Sequence, residues 1–100
     1  MDWHDAHVVI TGGSSGIGEA LAHAAAGKGA NLTLIARGAD RLDAVAAQVQ
    51  AAHPQAKVGA APCDVSDRDA TTDVLAAAAL ARGPVDALVC SAGITLPGRF

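Results

Sequence analysis

An eight-residue stretch, Thr11 to Gly18 (TGGSSGIG), constrains this chain more than any other. It follows an apolar run, His7-Val8-Val9-Ile10, and leads into Glu19-Ala20-Leu21-Ala22, which has helical character. Strand, glycine-rich turn and helix are the elements this order predicts. The N–H groups at the start of a helix have no intrahelical partner, and the helix dipole favours negative charge there, so the guest such a turn suits is a phosphate. Gly12 permits the tight turn out of the strand. Gly16 lets the backbone approach a pyrophosphate with no Cβ in the way, and Gly18 lets the helix lie close to the sheet. Ser14 and Ser15 add hydroxyl donors. Gly12, Ser14, Ser15, Gly16, Ile17 and Gly18 are therefore the candidate phosphate-side residues. The spacing Gly12-x-x-x-Gly16-x-Gly18 is neither the G-x-G-x-x-G fingerprint nor a P-loop, which needs Gly-Lys-Ser/Thr.

Alternating strand and helix signals continue along the chain. Helix one is predicted from Gly16 to about Lys28, with Ile17, Leu21, Ala24 and Ala25 inward and Gly29 as its C-cap. Asn31–Ala36 reads as a strand covered on both faces. Asp40 is the expected cap of helix two, which carries Leu42, Val45 and Val49 inward and stops at His53-Pro54. Lys57–Cys63 is a weak third strand, because Gly59, Ala60, Ala61 and Pro62 are poor strand formers. Ser66 is the expected N-cap of helix three, whose inner face is Val74, Leu75 and Ala78 and which ends at Gly83-Pro84. Ala87–Ser91 is strand four. The β-α-β-α-β-α-β order implies an α/β fold, a Rossmann-like doubly wound parallel sheet with right-handed crossovers and strand order 3-2-1-4. Residues 1–100 are expected to form a single, incomplete dinucleotide-binding domain.

In such sheets ligands bind at the C-terminal ends of the strands. Arg37 follows strand two, where an acidic residue would bind the ribose 2′-hydroxyl of NAD. A guanidinium there suits the 2′-phosphate of NADP(H) instead. Asp64 and Val65 follow strand three, and Ala92-Gly93 follow strand four, at the same edge.

These stretches resemble the short-chain dehydrogenase/reductase family, whose glycine pattern is T-G-x-x-x-G-x-G. The resemblance implies that Asp64 accepts from the adenine amino group, that the backbone of Val65 helps hold the ring, and that Ala92-Gly93 allow close approach to the adenine-side ribose. Cys90-Ser91 stand where the family has two asparagines, which puts local stability in doubt. TGGSSGIG, LTLIAR, GPVDALV and AGITLPGRF resemble one branch in particular, the 3-ketodihydrosphingosine reductases. The family's catalytic serine, Tyr-x-x-x-Lys and asparagine have no counterpart here, and the chain contains no tyrosine. The expectation is the NADP(H)-binding N-terminal part of an oxidoreductase that interconverts ketones and secondary alcohols, with a small-molecule ketone or alcohol substrate, a long-chain lipid among the candidates, and homo-oligomeric when complete. A non-catalytic nucleotide-binding or interaction module is the alternative. A Rossmann-like methyltransferase is disfavoured by Arg37, because its cofactor has no phosphate.

Composition excludes other classes. Hydrophobic residues make up 51% and charged residues 17%, the proportions of a globular chain. A net charge of −3 without a basic block argues against nucleic acid and anionic membrane surfaces. No apolar run is long enough for a membrane span, and the acidic start is unlike a signal peptide, so a cytoplasmic location is expected. The four histidines show no metal-ligand spacing. Cys63 and Cys90 fall on strands three positions apart, roughly 14 Å, too far for a disulfide.

Overall fold

His7–Thr11 (β1) and Asn31–Ala36 (β2) form the centre of a four-stranded parallel sheet in the computed structural model, which describes residues 3–12, 16–64 and 66–90. The remaining elements are α1 (Gly16–Gly27), α2 (Ala39–Ala52), β3 (Val58–Pro62), α3 (Arg68–Arg82) and β4 (Ala87–Cys90). The strand order is β3-β2-β1-β4, as predicted. All of β1 and the four middle residues of β2 are buried, because helices cover both faces.

The two-residue period of the strands divides the core. Val8, Ile10, Leu32 and Leu34 pack with Ala22, Ala25 and Ala26 of α1 and Leu42, Val45 and Val49 of α2. Val9, Ile35 and Cys63 pack on the other face, against Ala70, Val74 and Leu75 of α3. Two crossovers carry the chain from β1 outward to β3 over one face. The third brings it back over the other to β4. The reversal of direction falls between β1 and β4, where the glycine turn emerges. The sheet's edge strand β3 ends in Pro62, which lacks an N–H and suits an edge.

Three local expectations are corrected. Of the four residues expected on the inner face of α1, only Ala25 is buried. The buried face is Gly18, Ala22, Ala25 and Ala26, while Ile17 is 67% and Leu21 38% exposed. Both stripes have helical spacing, but a helix lying close to a sheet must present its smallest residues, and size decides over hydrophobicity. Helix α2 begins at Ala39 behind Gly38, which has no capping side chain, so Asp40 lies inside the first turn and serves the dipole instead. Helix α3 is capped by Asp67, whose carboxylate accepts from the Ala70 N–H, and not by Ser66, which is engaged by Asp64. The expected cap Gly29 has φ +89°. Cys63 and Cys90 form no disulfide. Ser91 lies outside the described residues, as do Ser14, Ser15, Val65, Ala92 and Gly93 of the candidate site.

Candidate nucleotide site

Three strands deliver their C-terminal ends to one edge. The Gly12 N–H donates to the Ile35 carbonyl at 2.7 Å, and the Cys63 N–H to the Ala36 carbonyl at 2.9 Å. These bonds lock the exits of β1, β2 and β3 side by side. The Thr11 hydroxyl reaches back to the Val89 carbonyl of β4 at 3.4 Å.

Gly12 has φ +73°, a conformation that a β-carbon opposes, so the turn itself requires glycine there. Gly16 is different. Among the described residues, a Cβ built on it would meet no atom within 4 Å beyond its chain neighbours and its own helix backbone. Packing among the described residues therefore does not call for glycine at the head of α1. The exposure of Ile17 beside it places an apolar side chain at the rim of the same turn.

Arg37 leaves the end of β2 with its side chain 81% exposed and its Nη1 3.9 Å from Oδ2 of Asp64. The other oxygen, Oδ1, accepts from the Ser66 N–H at 3.0 Å and the Ser66 hydroxyl at 2.7 Å, an Asx-type turn. The Ser66 hydroxyl, then the Ser66 N–H and last the Arg37 guanidinium hold the Asp64 carboxyl below its ordinary range. The site thus offers a solvent-facing guanidinium, a fixed carboxylate acceptor and a helix start above an open glycine. Those groups match a polyanion carrying an amino-bearing ring. Among the described residues no three His, Cys, Asp or Glu side chains come together as metal ligands.

Sequence spacing missed two clusters outside this edge. His23 and His53, thirty residues apart, bring Nδ1 and Nε2 to 3.4 Å. At the N-terminal ends of the strands, buried His7 joins Gly83 and Thr33, and Thr33 joins Arg82. The sequence signal was a polar residue in each apolar strand, His7 in β1 and Thr33 in β2.

Residues 6–100 match the family described as short chain dehydrogenase. The chain belongs to that family. Two relatives bracket the resemblance of this short-chain dehydrogenase chain. The 3-ketodihydrosphingosine reductase of Bos taurus is 40% identical over 98 residues, covering 95% of this chain and 30% of that protein. An uncharacterized oxidoreductase of Mycobacterium tuberculosis is 36% identical over 93 residues, covering 93% of this chain and 37% of that protein. The chain spans about a third of the length of these relatives. Among solved structures, L-sorbose reductase from Gluconobacter frateurii, complexed with NADPH and L-sorbose, superposes with a TM-score of 0.82 at 32% identity, over 100% of this chain and 38% of that one. A short-chain dehydrogenase/reductase from Mycobacterium marinum gives 0.84 at 35% identity, over 95% and 38%.

Proposed function

We propose that this chain holds the adenosine and phosphate half of NADP(H) in an oxidoreductase that interconverts a ketone and a secondary alcohol. The observation that carries the reading is Arg37 at the end of β2, in the place where a carboxylate would select NAD, with its guanidinium exposed beside Asp64. The open space over Gly16 fits the pyrophosphate. In this reading Gly12, Ser14, Ser15, Gly16, Ile17 and Gly18 hold the pyrophosphate, and Arg37 holds the 2′-phosphate. Asp64 and Val65 hold the adenine, and Ala92-Gly93 flank the ribose. The bound cofactor supplies the hydride. These residues fix its position and leave the proton for the carbonyl oxygen to a donor of matched pKa. The chain has no tyrosine, so these hundred residues do not themselves supply the family's Tyr-x-x-x-Lys donor. The similarity to 3-ketodihydrosphingosine reductase, together with the NADPH-complexed sorbose reductase, supports a reductive reaction and makes a long-chain 3-keto sphingoid base the first substrate to assay.

Calorimetric titration of NADPH and NADH tests the assignment. Arg37→Ala is expected to weaken NADPH binding about tenfold to a hundredfold, the worth of a charged hydrogen-bonded contact. NADH binding should hardly change, and Ala36→Asp should shift preference toward NADH. Equal losses for the two cofactors would overturn the role of Arg37.

A further inference from the structure

At the end of the sheet opposite the glycine turn, an open cavity of 640 Å³ has Gln50, Lys57, Val58 and Arg82 in its lining. The strand between the two ends, β3, is five residues long, so the cavity and the nucleotide edge are about 16 Å apart.

The cavity wall is tied down. Nε2 of Gln50 donates to the carbonyls of His53 at 3.3 Å and Ala56 at 2.5 Å, and its Oε1 accepts from the Val58 N–H at 3.1 Å. Lys57 is fixed through its backbone on both sides. Its N–H donates to Oδ1 of Asn31 at 3.1 Å, and its carbonyl accepts from the Leu32 N–H at 2.8 Å. The Lys57 side chain therefore rises from an anchored point at the rim.

Arg82 is the unusual member. Its Nε donates to the buried Thr33 hydroxyl at 2.9 Å. Its guanidinium lies against Gly59, where a Cβ would fall 2.5 Å from the guanidinium carbon. Among the described residues no carboxylate lies within ion-pair distance of it. Burial alone pushes its pKa below the ordinary arginine value. A half-buried charge without a counter-ion is a desolvation cost that an arriving anion offsets. The Nη groups keep the planar donor geometry that oxyanions match, and Lys57 adds a second positive charge over the same space.

We propose that this cavity is an oxyanion site, in which a phosphate or carboxylate group of a small molecule lies across Arg82 and Lys57. The site is independent of the nucleotide edge and does not rest on the function proposed above.

Inorganic phosphate and citrate, each titrated at constant ionic strength against chloride, test it by amide and arginine Nε–H resonances. Reading Lys57, Gly59 and Arg82 separates this site from anion binding at the glycine turn. Saturable shifts of these three signals are expected. Saturation by phosphate alone identifies a phosphate site, and saturation by citrate alone a carboxylate site. Lys57→Gln should weaken binding at least threefold, and Arg82→Gln should abolish it. Should Arg82→Gln fail to fold, Lys57→Gln decides alone, because Lys57 is an exposed residue. Shifts that do not saturate with either anion, or that are unchanged in Lys57→Gln, would overturn the proposal.

Discussion

The two ends of the sheet treat polar groups in opposite ways. At the N-terminal ends of the strands, hydrogen bonds run inward and close on themselves. With the proton of His7 on Nδ1, that atom donates to the Gly83 carbonyl at 2.8 Å. The Thr33 hydroxyl donates to Nε2 at 2.8 Å and accepts from Arg82 at 2.9 Å. Oδ2 of Asp86 accepts from the His7 N–H, and the Asp86 N–H donates to the His7 carbonyl, both at 2.8 Å. This relay joins β1, β2 and the α3–β4 connection, with His7 and Thr33 fully buried. At the C-terminal ends the Arg37 and Asp64 side chains face solvent, and among the described residues the shortest side-chain bond there is local, from Ser66 to Asp64 two residues away. One end uses its polarity chiefly to hold the fold, leaving only the Arg82 Nη groups and Lys57 for the anion proposed above, and the other leaves Arg37 and Asp64 to solvent. Stability and binding should therefore separate by mutation.

The largest separation is expected at His7. His7→Ala strands the Thr33 hydroxyl and the Gly83 carbonyl and opens a cavity under β1, at a cost of about 3–4 kcal/mol. Urea denaturation measures this loss. The fraction that remains folded should bind NADPH as tightly as before. A weakened cofactor affinity at full folding would show that the two ends are coupled. Gly16→Val should do the reverse. Among the described residues its β-carbon meets no atom beyond its chain neighbours and its own helix, so unfolding should move little. NADPH affinity should fall about a hundredfold, close to 3 kcal/mol, as the side chain enters the pyrophosphate's space. A wild-type affinity in calorimetry would make Gly16 no part of the site.

The same contrast explains what could be read from the sequence. The fold was legible because β1 and β2 are continuous apolar runs and each helix carries a stop or start signal. The strand order followed from the alternation of elements. The gathering of glycines, Arg37 and Asp64 at one edge was legible because they sit directly after strands, so topology alone brings them together. The inward relay was not legible. It joins residues 7, 33, 82 and 86, and only the register that sets His7 opposite Asn31, and Thr33 opposite Gly59, brings them together. Gly59 reads in sequence as a poor strand former, yet in the fold its missing side chain makes room for Arg82. The face of α1 was misread for a related reason. Hydrophobic spacing alone could not distinguish the stripe of large residues from the stripe of small ones, and the distance to the sheet chose the latter.

The smallest effect tests whether the solvent-facing end has any internal order. Asp64 is lowered chiefly by the Ser66 hydroxyl, with the Ser66 N–H next and Arg37 last. Arg37 ranks last because its guanidinium stands 3.9 Å away, exposed to water that screens it. A carboxyl lowered in the folded state contributes stability above its ordinary value of 3.8, and that contribution disappears as pH falls through the lowered value. Ser66→Ala should move the Asp64 midpoint up toward the ordinary value, and Arg37→Ala should move it less. Both shifts are followed through the Asp64 side-chain carbon in an NMR titration from neutral to acid pH. At pH 7 the carboxylate is ionised with or without Ser66, so cofactor affinity there should change only as far as the carboxylate's orientation does. If Arg37→Ala moved the midpoint more than Ser66→Ala, the guanidinium would be the main partner of Asp64. It would then have to leave an established ion pair to reach a 2′-phosphate, and the site would not be as open to its ligand as the geometry indicates.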